Sequence, residues 1–201
     1  MEFSNKLCKA VAETTTNHSS RSSKRTDILH TILKHEIERI DSRLNCKIEY
    51  RFEIETGTYT CDLVIFQEDG VVGCIPFKAS MTNIKQNKAN LQTAKLGEVL
   101  KLRDATSAPI AFFDIFPIQC PYYTKTGEQS KCERFECERL KKEQATLVRL
   151  CEKQGIPIHV FTLFAEYEYP KKGEVVFRKV ADYSDMDRFY DFIRSLAKAA
   201  V

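Results

Sequence analysis

The stretch that decides the fold reads Thr60-Cys-Asp62-Leu-Val-Ile-Phe66, then Gln67-Glu-Asp-Gly70, then Val71-Val-Gly-Cys-Ile-Pro76-Phe-Lys78. Two runs of β-branched and aromatic residues flank an Asp-Gly turn, the pattern of a β-hairpin. Side chains two apart on a strand share a face, so Pro76 and Lys78 look together toward whatever Asp62 faces across the hairpin. A carboxylate and an ammonium meeting at a sheet edge can hold a divalent cation and polarise a water. A second carboxylate at position 76 would complete such a site, and the chain has proline there. Proline lacks a backbone donor, so it is expected where the sheet does not need that N–H.

Upstream, residues 46–55 alternate, with Ile48, Tyr50, Phe52 and Ile54 on one face and Lys47, Glu49, Arg51, Glu53 and Glu55 on the other. This predicts a half-buried strand. Thr56-Gly57-Thr58 turns it into the Asp62 strand, and the whole reads as an antiparallel meander. Before it, Ile28, Leu29, Ile32, Leu33, Ile37 and Ile40 recur at three and four, predicting a helix over 27–40 capped by Thr26. Glu36 sits at the margin of that stripe, facing either water or a site. Residues 1–22 show little periodicity and include the polar run Thr14–Ser23, which predicts a flexible N-terminal arm ahead of a single domain over 23–201.

Downstream, Ala94, Val99, Leu100 and Leu102 suggest a helix over 90–103 for which Asn90 is a cap. Residues 108–116 are nearly all apolar, as in a central strand covered on both faces. A loop over 117–127 carries Pro121-Tyr122-Tyr123, and a charged amphipathic helix follows over 137–154, ending at Gly155. Strands are expected over 158–164 and 174–180, and a last helix over 185–199. The order predicts an α/β fold: a mixed sheet, antiparallel meander plus further strands, flanked by helices.

With 43% hydrophobic residues in 201, the chain can bury a substantial core. No apolar run approaches a membrane span and the N-terminal residues do not read as a secretory signal, so a soluble, cytoplasmic protein is expected. The cysteines at 8, 46, 61, 74, 120, 132, 137 and 151 have irregular spacings, unlike a disulfide framework or a zinc knuckle, and read as reduced thiols. The absence of a Gly-rich phosphate loop argues against a nucleotide cofactor. Net charge is only +3, but Lys85, Lys88, Lys95, Lys101 and Arg103 stand against the single acid Glu98 between residues 83 and 103. That segment can meet phosphates or can be a solvated basic face.

Together these residues resemble a family, the PD-(D/E)XK nucleases, and in particular small type II restriction endonucleases. The resemblance rests on Asp62 and Lys78, on Met81-Thr82-Asn83-Ile-Lys-Gln86-Asn87-Lys-Ala-Asn90, on Leu96-Gly97-Glu98-Val-Leu-Lys-Leu-Arg103, and on Pro121-Tyr122-Tyr123 with Gly127. It covers about residues 27–130. It implies a restriction-endonuclease-like fold and Mg2+-dependent hydrolysis of double-stranded DNA by a homodimer. Asp62 and Lys78 match the motif, and Pro76 departs from it.

Three readings of the departure stand: a carboxylate supplied from elsewhere, a silent nuclease fold that still binds DNA, or a catalytic acid lost by replacement. Glu98 is the leading relocated acid, with Glu53 and Glu55 behind it. The implied metal ligands are Asp62, Glu98 and the Phe77 carbonyl, with Lys78 steering the attacking water. Asn83, Lys85, Gln86, Asn87, Lys88, Asn90, Arg103, Tyr122 and Tyr123 are the implied DNA contacts, since amides pair with adenine and cations with phosphate. A structure-specific nuclease is a further alternative. The plainer reading has Asp62 ending a turn and Lys78 as an exposed strand-end lysine.

Overall fold

Alternation of apolar and charged residues produces β1 (Leu44–Ile54) and β2 (Gly57–Gln67), which pair antiparallel; Glu68 and Asp69 then turn the chain into β3 (Gly70–Ile75). Glu68 takes φ 52 in that two-residue loop, the left-handed backbone such hairpins require. These features belong to a computed structural model that describes residues 1–18, 23–124, 126 and 128–198, without the side chains of residues 23–25 and 85–89.

After Pro76 the strand resumes as β4 (Phe77–Ala79), and β3 and β4 both run parallel to β5 (Ile110–Pro117). Strand β8 (Ile158–Glu168) is parallel to β5, and β9 (Val176–Asp182) closes the edge antiparallel. The sheet order is β1-β2-β3-β5-β8-β9 with β4 on β5. Every residue of β5 is buried, as its continuous apolar sequence demands of a parallel central strand. The α/β class with a mixed, helix-flanked sheet is as expected from sequence.

Two apolar layers enclose the sheet. Ala111, Phe113 and Ile115 of β5 face a cluster that includes α1 (Glu2–Asn17), α2 (Ser23–Ile40) and α5 (Met186–Leu196). Ile110 and Phe112 face the other way, toward Val99 and Leu102 of α3 (Ile84–Ala105) and Leu147 and Cys151 of α4 (Cys137–Lys153). Gly73 is needed where α5 docks, because a Cβ there would lie 2.7 Å from Leu196 Cδ1. No helix among the described residues is long and apolar enough to cross a membrane.

Four expectations are corrected. The N-terminal segment expected as a flexible arm is helix α1 through Asn17, with Phe3, Leu7, Cys8 and Val11 buried. Its threonines bond within the fold, Thr14 to the Ala10 carbonyl at 2.7 Å and Thr16 to the Val175 carbonyl at 3.1 Å, so a polar composition did not mean a solvated chain. Helix α2 begins at Ser23, which puts Thr26 inside its first turn rather than at its cap. Helix α3 begins at Ile84, not at Asn90, because Ile84 anchors it in a cluster with Phe116, Leu140 and Phe164. The loop expected over 117–127 contains β6 (Gln119–Tyr123), paired with β7 (Gln129–Arg134) in a small second sheet; Gly127 lies outside the described residues.

Candidate active site

The hairpin β1–β2 changes face part way along. Leu44 and Cys46, like Leu63 and Ile65, pack under α1, α2 and α5, whereas Tyr50, Phe52, Ile54 and Cys61 join the layer under α3 and α4. The switch falls at Glu49, which has φ 49. Ladder pairs Ile48↔Leu63 and Tyr50↔Cys61 flank it, so the residue opposite Glu49 is Asp62. A left-handed glutamate within a strand is strained, and strain of this kind gathers at functional positions.

A second break adjoins the first. The last pair of β2 and β3 is Leu63↔Ile75, so Asp62 stands beside Pro76. Cys74 donates to the Pro109 carbonyl at 2.9 Å and Phe113 donates to the Pro76 carbonyl at 3.0 Å. Position 76 is therefore the next donor toward β5, and proline leaves the ladder interrupted there, contrary to the expectation that the sheet would not need that N–H. Backbone groups alternate in direction along a strand, so Phe77 turns its own toward β2. Its N–H donates to Asp62 Oδ2 at 2.7 Å, and its carbonyl points to the same side.

The result is a pocket lined by Asp62, Pro76, Phe77 and Lys78 from the sheet, Thr26 and Leu29 from α2, and Lys95 and Glu98 from α3. Lys78, Lys95 and Glu98 share it because Lys78 pairs in register with Asp114, the partner of Lys95, and Glu98 follows Lys95 by one helical turn. Asp62 is 38% exposed, reachable from solvent while anchored by the Phe77 amide. Burial and then the charge of Asp62 push the Glu98 carboxyl above its ordinary value, with Lys78 and Lys95 opposing. Burial is the larger cause, and the Asp62 charge adds to it across the pocket.

Two contributors were not singled out from sequence. His30 of α2 is buried, with Nε2 3.7 Å from Asp62 Oδ1 and its ring edge-on to Phe77 at 5.7 Å. Burial lowers its pKa against the pull of Asp62, so it is a neutral support. Lys95, read as part of a basic face, is buried on Asp114, which also accepts from Gln144 Nε2 at 3.0 Å. Only their position in space brings them to the site; neither belongs to a sequence motif.

The other expected residues are dispersed. Glu53 pairs with Thr58 near the hairpin tip, and the Glu55 amide donates to Asp104 at 2.8 Å, so neither stands beside Asp62. Glu36 is held by Arg39 at 2.8 and 2.9 Å and by the Tyr190 hydroxyl at 2.9 Å. Arg103 is at the far end of α3, donating to the Ser107 carbonyl at 3.0 Å. Asn83 accepts from the Tyr123 amide at 3.0 Å and donates to its carbonyl at 3.3 Å, which ties β6 to the start of α3. Tyr122 lies under Lys131 at 5.1 Å and Tyr123 under Lys172 at 5.9 Å, and Asn90 is exposed on α3. The side chains of Lys85, Gln86, Asn87 and Lys88 lie outside the described residues.

Among the described residues, no three His, Cys, Asp or Glu side chains form a ready-made metal cage. Comparison with known proteins returns no matching family model, no matching curated protein and no matching solved structure.

Proposed function

We propose that the chain is a Mg2+-dependent endonuclease of the restriction type, hydrolysing phosphodiester bonds of double-stranded DNA. The observation that carries this reading is the convergence of Asp62, Lys78 and Glu98 on one pocket at a break between strands. Mg2+ keeps several waters and takes one or two protein carboxylates, so Asp62, Glu98 and the Phe77 carbonyl fit it without a third acid. When bound, the ion supplies Lewis-acid polarisation of the scissile phosphate. Asp62 is held in position by the Phe77 amide. The Lys78 ammonium orients the attacking water and offsets charge on the phosphate oxygens. Lys95, fixed on Asp114, keeps a second positive charge beside Glu98. Lys131 and Lys172 over the β6 tyrosines suit contact with the nucleic-acid backbone. A homodimer would place one such site on each strand.

Pro76 favours a second reading, a DNA-binding protein with the same fold and no cleavage. Incubation of the purified protein with Mg2+ and plasmids of varied sequence separates them. Discrete fragments are expected. Retarded but uncut DNA would support the silent binder, and cleavage confined to branched substrates would point to a structure-specific nuclease.

A further inference from the structure

Behind the candidate active site lies a second cavity of about 300 Å³ between α3, α4 and the end of β5, and Leu91 and Lys95 line both. Its walls are apolar, built from Ile84, Leu91, Phe116, Phe135 and Leu140. Its floor is polar. Asp114 is completely buried, and while Oδ2 accepts from Lys95 and Gln144, Oδ1 has no partner among the described residues. The side-chain oxygen of Gln92, another lining residue, is also buried and has no partner among the described residues. A buried acceptor left unsatisfied is destabilising, so a ligand that brings N–H donors recovers that loss. At the mouth stand Arg134 and Arg139 against one acid, Glu136, with Arg139 also 3.5 Å from Glu143. The two guanidiniums are exposed, and Arg134 has no ion pair among the described residues.

An apolar slot, acceptors at its end and guanidiniums at its mouth match a planar heterocycle with amino groups and an attached phosphate. We propose that this cavity binds a nucleotide unit whose base carries an exocyclic amino group. The ring packs against Phe116, Leu91 and Leu140, the amino group meets Asp114 and Gln92, and the phosphate meets Arg134 and Arg139. Thymine has no amino group and is the weaker ligand. The unit can come from a free nucleotide or from a strand whose base is turned out of the stack. Only the second source rests on the endonuclease reading, since a neighbouring phosphodiester would then lie at Asp62 and Lys78.

The test titrates the full chain, without metal, with dCMP, dAMP and dTMP by calorimetry. Saturable binding of dCMP or dAMP is expected, about tenfold tighter than dTMP, the worth of one added hydrogen bond to a charged group. Arg139→Ala should weaken it about tenfold; that side chain is 71% exposed, so the fold is spared. Leu140→Trp fills the slot and should abolish binding, with an unchanged unfolding midpoint as its control. A duplex carrying 2-aminopurine reports the source: a fluorescence rise lost in Leu140→Trp assigns a strand, and a flat signal with binding of dCMP assigns a free nucleotide. No saturable binding and no fluorescence rise would overturn the proposal. So would binding that neither variant alters. If dCMP binds but plasmids stay uncut with Mg2+, the endonuclease reading alone fails.

Discussion

The backbone N–H of Phe77 donates to Oδ2 of Asp62 across 2.7 Å, so the residue after Pro76 joins β2 to β4 where the ladder stops. Asparagine offers an oxygen to the same donor but no charge. Asp62→Asn should therefore leave thermal unfolding within ~1 kcal/mol of the parent while plasmid cleavage with Mg2+ falls about a hundredfold or more. Equal losses of stability and cleavage would mean that Asp62 acts only as a strand clasp.

Pro76 is buried beside Asp62 and blocks one ladder hydrogen bond toward β5. Pro76→Glu restores that donor, worth ~0.5–1.5 kcal/mol, and adds a third carboxylate to a pocket that already holds Asp62 and Glu98. Without metal the second effect should dominate, lowering the unfolding midpoint in EDTA, because an uncompensated buried charge costs ~3–5 kcal/mol. Addition of Mg2+ should recover the loss and increase cleavage. A midpoint indifferent to Mg2+ would show that position 76 does not face the ion.

Much of this fold is written in local periodicity. The alternation of β1, the apolar run of β5 and the three-and-four spacing in α2 each report burial of one face or two, which is all that short-range pattern encodes. Helix α1 was hidden because its buried Phe3, Leu7, Cys8 and Val11 are followed by a run of threonines, of which Thr14 and Thr15 bond back to carbonyls of the same helix and Thr16 bonds across the fold to Val175. The change of face at Glu49 was hidden for a different reason: parity is preserved along β1 while the layer it points to changes. Asp62, Lys78 and Glu98, named from the resemblance, line one pocket, whereas Lys95 and His30 could not be placed there from sequence, since their partners Asp114 and Asp62 are distant along the chain.

The depth of α1 makes its own prediction. Leu7 has no exposed surface, so Leu7→Ala should destabilise by ~2–5 kcal/mol through lost transfer energy and the cavity left behind. Urea unfolding measures it. A change under ~0.5 kcal/mol, typical of an exposed site, would return residues 1–17 to the status of a loose arm.

Lys95 and Asp114 form a buried pair, with side chains 8% and 0% exposed. Removing one partner strands the other charge, so Lys95→Met should cost ~3–5 kcal/mol. The double variant Lys95→Met with Asp114→Leu removes both charges and should recover most of that stability, as a double-mutant cycle in urea would reveal. Cleavage should stay impaired in the double variant, because the positive charge beside Glu98 is gone in either background. Full activity there would confine Lys95 to a structural role.

Glu98 gives the site a pH signature. Its carboxyl is raised by burial and by the charge of Asp62, so the folded protein holds that proton more tightly than the unfolded chain. Stability from this group is therefore present below the ordinary carboxylate pKa and is lost as pH rises through the higher folded value. At pH 8 the native protein carries the cost of an ionised Glu98 near Asp62. Glu98→Gln removes that cost, so its midpoint in EDTA should exceed the parent's at pH 8 and converge with it near pH 4. Mg2+ should raise the parent's midpoint, since a cation between the two carboxylates offsets their repulsion, and should leave the variant nearly unmoved. A variant less stable than the parent at pH 8 would mean that Glu98 is held by its lysines rather than strained by Asp62, and the pairing of carboxylates would lose its support.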